Sequence, residues 1–117
     1  MVIIADILLL AVAALHIYIL LLEMFLWQHP VGMRAFGTTR EFASATRTLA
    51  ANQGLYNGFL AAGLTWSWWL SQPVWQLFFL GCVLIAGLYG GLTANRKILW
   101  VQGLPALIAM LAVLAAH

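Results

Sequence analysis

Charge is what this sequence has least of. Its 117 residues carry five basic and three acidic side chains, 7% of the chain, where a soluble domain is about a quarter charged. So few charges cannot wet the surface of a soluble protein. With 65% hydrophobic residues and a mean hydropathy of +1.00, the chain reads as an integral membrane protein. The net charge of +2 is too small to suggest a nucleic-acid partner. Cys82 is the one cysteine, which excludes an internal disulfide and leaves the redox compartment unconstrained. No nucleophile stands beside a base, and no cofactor motif is present. The glycine-rich stretch 54–63 has neither the strand–turn–helix context nor the lysine of a phosphate loop. The apolar N-terminus lacks a basic leader and a small-residue cleavage site, so it is read as a retained first helix.

What is present is a set of long apolar runs, at about 3–27, 48–70, 74–94 and 98–116. Each can cross about 30 Å of hydrocarbon at about 1.5 Å per residue. Thr38 and Glu41 have the spacing of a capping box, so the second helix is expected to begin near 39 and run to 70. This predicts an all-α fold, a single domain over 1–117: a four-transmembrane-helix bundle with antiparallel neighbours. The five basic residues Arg34, Arg40, Arg47, Arg96 and Lys97 all fall in the breaks at 28–47 and 95–97. Positive loops stay inside, so both loops are expected to be cytoplasmic and both termini outside, in the inner (plasma) membrane. Tryptophans 66, 68, 69 and 75 flank the outer turn, and Trp27 and Trp100 mark the inner boundary, as an aromatic belt does.

Orientation sorts the polar residues by depth. Glu23 lies about one turn inside the cytoplasmic end of helix one. Asn52 and Gln53 lie at a similar depth in helix two, with Tyr56 and Asn57 one turn deeper. Asn95 closes helix three, Gln102 lies just inside helix four, and His16 sits near the midplane. In helix two, Gln53, Tyr56 and Asn57 are expected on one face, and Gly54, Gly58, Ala61 and Ala62 on an adjoining small-residue face. Gly54/Gly58 and Gly87/Gly91 have the spacing that lets membrane helices approach closely. A carboxylate at mid-span costs roughly 2.5–3.5 kcal/mol on insertion scales, which makes Glu23 a functional candidate by default. His16, Glu23, Trp27, Asn52, Gln53, Tyr56, Asn57, Asn95 and Gln102 form the expected ligand-binding set. A purely structural reading stands beside it: Glu23 as a hydrogen-bond hub, His16 as a packed histidine and the amides as interhelical contacts. His16 and Glu23, seven residues apart on one helix, are about 10 Å apart along its axis, too far for one metal ion to bridge. No metal or cofactor is expected.

The block "NQGLYNGFLAAGL", together with His16 and "LEMFLW" in helix one, resembles the small prokaryotic membrane proteins catalogued as domain of unknown function 1304. The resemblance covers nearly the whole chain. It implies four transmembrane helices in one compact unit and no established activity.

Three functions remain open on the sequence. The first is a protein that binds or transports a small molecule in a polar pocket on the cytoplasmic side, with Glu23 handling a proton. So small a bundle needs a homo-oligomer for alternating access. The second is a membrane enzyme on a lipid-like substrate with Glu23 as general acid/base. The third is a structural or accessory subunit whose polar layer fixes helix register.

Overall fold

A backbone in hydrocarbon has no water to bond, so it satisfies its own N–H and C=O groups as helix. The computed structural model covers residues 1–117 and is all-α. Helices α1 (Val2–Met24), α2 (Pro30–Phe36), α3 (Arg40–Ala45), α4 (Arg47–Trp69) and α5 (Pro73–Thr93) follow in order. A π-helical turn, Leu99–Gly103, then leads into α6 (Leu104–Ala116). Three segments, Val2–Met24, Pro73–Thr93 and Leu99–Ala116, are long and apolar enough to cross a membrane. Helix α4, at 23 residues, is also long enough, but Asn52, Gln53 and Asn57 keep it below the hydropathy of those three.

Each long helix buries a narrow stripe at helical spacing. On α1 the stripe is Ala5, Leu9, Val12 and His16; on α4 it is Ala50, Gly54, Asn57, Ala61, Leu64 and Ser67. On α5 it is Gln76, Leu80, Val83, Gly87 and Gly91, and on α6 Ala106, Ala109, Ala112 and Val113. The opposite faces expose Ile3, Ile7, Phe59, Trp69, Ile85, Leu92 and Trp100. That much apolar surface outside a protein calls for lipid or a partner.

The breaks differ from the sequence expectation in ways that local chemistry explains. Helix α1 stops at Met24 rather than near 27. His29 precedes Pro30, which disfavours helical backbone, and its Nδ1 accepts a hydrogen bond from Val31 N at 3.2 Å, capping α2. Thr39, not Thr38, caps α3, its hydroxyl accepting from Phe42 N. The second helix is not continuous from 39. Thr46 interrupts it, donating its hydroxyl to Phe42 O at 2.7 Å, and α4 starts at Arg47. The π-helical turn sits just before Pro105. Proline has no N–H, so a helical bond to Val101 is missing, and Leu104 N instead reaches back to Leu99 O. Such a widened turn is a usual source of a helix bend.

The chain packs as two compact units, Met1–Ala14 with Leu60–His117, and Leu15–Phe59. The first is a helical bundle around Ala5, Leu9, Val12, Leu64, Leu80, Val83, Ala106, Ala109 and Val113. One approach in it is backbone on backbone: a Cβ added at Gly87 would lie 2.7 Å from Gly103 N and 2.9 Å from Gly103 Cα. In the second unit, a Cβ at Gly54 would lie 2.6 Å from Met24 Cγ and 3.1 Å from Glu23 Cβ, and one at Gly58 2.6 Å from Leu20 Cδ1. The Gly54/Gly58 and Gly87/Gly91 pairs thus meet side chains and backbone of the same chain.

Two glycines of α5 make a matched test. Gly87→Ala forces backbone apart and is expected to cost about 1–3 kcal/mol, the range for overpacking. Gly81→Ala meets nothing within 4 Å and is expected to stay within about 1 kcal/mol of wild type, on helix propensity alone. Thermal unfolding of both in detergent, followed by circular dichroism, measures the difference. Equal melting would refute the close α5–Gly103 contact.

Candidate functional site

The second unit holds seven of the nine expected site residues, and the structure brings two of them together. Asn57 Nδ2 donates to Glu23 Oε1 at 2.6 Å, across 34 residues of sequence. Glu23 is 8% and Asn57 5% exposed. The approach that makes this bond possible comes from Gly54, one turn before Asn57, which lets α4 lie against Glu23 and Met24. Asn57 therefore shares the buried stripe with Gly54 and Ala61, not a separate face with Gln53 and Tyr56.

The remaining residues are dispersed. His16 is fully buried in α1 and makes its own polar contact. Asn52 is exposed and bonds its own helix at Thr48 O, 3.2 Å. Gln53 and Tyr56 are exposed, with Tyr56 edge-on to Phe59 at 6.0 Å. Trp27 is a clasp: its ring meets Phe36 at 5.0 Å and its indole N–H donates to Thr46 Oγ1 at 3.1 Å. It ties the end of α1 to α2 and to the start of α4. In the first unit, Asn95 is exposed and its Oδ1 accepts from Lys97 N at 2.9 Å. Gln102 is half-buried in the π-helical turn and has a polar partner.

No cation lies within ion-pair distance of Glu23. Its side-chain donor is the Asn57 amide. The pair is a buried carboxylate with an amide beside it, a polar group set among apolar side chains of α1 and α4. No group of three or more His, Cys, Asp or Glu side chains converges to hold a metal ion.

The first unit has a second polar pair that sequence reasoning placed at the membrane boundary. Gln76, 3% exposed, donates to Ser67 O at 3.3 Å, and Ser67 Oγ donates to Leu64 O at 2.8 Å. Both side chains lie on the buried stripes, and that position was the signal available. Nearby, Ala62, Gly63, Trp66, Ser67, Leu70, Trp75 and Phe79 line an open apolar cavity of about 290 Å³. Asn57→Ala removes the donor and leaves the buried carboxylate short of a partner, a loss expected to cost about 1–3 kcal/mol. Glu23→Gln keeps an acceptor oxygen for Asn57 and is expected to cost less than half as much. Unfolding of the two variants in detergent checks the order, and a larger loss in Glu23→Gln would contradict it.

Over residues 10–114 the chain matches the model of the family described as "Protein of unknown function (DUF1304)". It is 35% identical over 115 residues to "Uncharacterized protein YpaA" of Lactococcus lactis subsp. lactis (strain IL1403), covering 95% of this chain and 97% of that protein. No solved structure matches. The match spans all the long helices and the Glu23–Asn57 pair: the chain belongs to the DUF1304 family.

Proposed function

We propose that this chain is a four-span protein of the plasma membrane that binds a small molecule at Glu23 and Asn57, and moves it as part of a homo-oligomer. The reading rests on one observation: a buried carboxylate hydrogen-bonded to an amide across two helices. An ionisable group inside a span is expensive and marks a functional site by default. A carboxylate beside an amide suits a ligand that donates a hydrogen bond to it, and Glu23 is the group that would exchange a proton with it. Asn52, Gln53 and Tyr56, exposed on α4, would meet the ligand or a second subunit. His16, in the same unit, is assigned a supporting role, and Trp27 holds the segment that follows α1; Asn95 and Gln102 belong to the other unit. In this topology α4 is the fourth span, loops 28–47 and 95–97 face the cytoplasm and both termini lie outside.

A structural role has its own support, because the Glu23–Asn57 bond and the Gly54 contact would by themselves fix the register of α1 and α4. Native mass spectrometry of wild type and Glu23→Gln separates the two. A small molecule retained by wild type and absent from the variant is the expected result. Identical empty spectra would favour the structural role, and the same spectra count the subunits.

Topology is tested by impermeant thiol labelling in a Cys82→Ser background. Arg34→Cys is expected to react only after the inner face is opened, and Ser71→Cys in intact cells. The reverse pattern would overturn the orientation.

A further inference from the structure

Arg34, Arg40 and Arg47 stand at the end of α2, the start of α3 and the start of α4. All three are exposed and none is paired with a carboxylate. Glu41 is the one acidic residue of the segment, and it too is unpaired. Interleaved with the arginines, Phe25, Val31, Phe42 and Leu49 are exposed apolar side chains. Cations alternating with exposed apolar groups are what a segment at the headgroup–acyl boundary presents. The scaffold under them is fixed, because Trp27 ties this stretch together through Phe36 and Thr46, so the cations are displayed on ordered backbone. All three are arginines, whose planar fork matches the oxygens of a phosphodiester in a way lysine does not.

We propose that residues 25–49 form a binding site for anionic phospholipid head groups, with Arg34, Arg40 and Arg47 contacting the phosphate and the interleaved apolar side chains contacting the upper acyl chain. Charge complementarity decides the occupant. Three unpaired cations against one carboxylate repel a basic partner, and the apolar side chains give a soluble anion nothing to hold. The site uses none of the residues of the Glu23–Asn57 pair, and stands or falls independently of it.

The test is lipid titration of the full chain in detergent, read by native mass spectrometry with phosphatidylglycerol and phosphatidylcholine as probes. Wild type is expected to prefer phosphatidylglycerol by tenfold or more. R34Q/R40Q/R47Q is expected to lose roughly a hundredfold in that affinity, at about fivefold per cation, and R34K/R40K/R47K, which keeps the charge and loses the fork, to fall between the two. R96Q/K97Q, altering the other basic loop, is expected to change it only a few-fold. Equal affinity for the two lipids would overturn the proposal, as would an unchanged triple glutamine variant or an equal loss in R96Q/K97Q. Inorganic phosphate binding with the same arginine dependence would make this a soluble-anion site and also overturn it. If the glutamine variant fails to fold, the salt dependence of wild type decides. Screening between about 0.05 and 0.5 M salt should weaken binding by more than tenfold, and insensitivity to salt would refute the site.

Discussion

Close approach of the helices at small residues on their inward stripes is the feature on which the rest of the structure depends. Lipid tails are as apolar as leucine, so burying leucine against leucine gains little in a membrane, and helices associate by close packing and by hydrogen bonds between them. Alanine and glycine supply the close packing here: Ala106, Ala109 and Ala112 on α6, Gly87 on α5, Gly54 on α4. Between these contacts Leu9, Leu64, Leu80, Val83 and Val113 fill the remaining space, while Ile3, Ile7, Phe59, Ile85 and Leu92 face outward.

Close approach has a chemical consequence. Where Gly54 brings α4 against Glu23, the side chain one turn further on is Asn57, and its amide reaches the carboxylate at 2.6 Å. A larger residue at 54 would hold the helices apart and leave Glu23 as a buried acceptor with no donor. Packing and chemistry are therefore one device at this point. The same holds at Gln76, whose place on a buried stripe gives it the Ser67 carbonyl as partner.

The segment between α1 and α4 follows a different logic. It is held by side chains more than by stripe packing. His29 and Thr39 cap the two short helices, Thr46 breaks the approach to α4, and Trp27 links Thr46 to Phe36. Its arginines stay outward because nothing inside neutralises them, and burying an unpaired cation is costly.

By itself the sequence determined the helical class, the apolar runs and the basic breaks, because these follow from composition and from the length needed to cross hydrocarbon. It also marked Glu23 and Asn57, since polar groups in apolar runs stand out. It could not determine which amides share a face with the carboxylate. Gln53 and Asn57, four residues apart, lie only about 40° apart around the helix, so a rotation of a few tens of degrees exchanges them, and the sequence pattern does not say which faces in. The tertiary structure decided it: the glycines set the face of α4 that meets α1, and that face carries Asn57 and leaves Gln53 and Tyr56 outside. It decided Trp27 for the same reason. A tryptophan near a helix end reads as an interfacial residue until Thr46 and Phe36, nineteen and nine positions away, are folded against it.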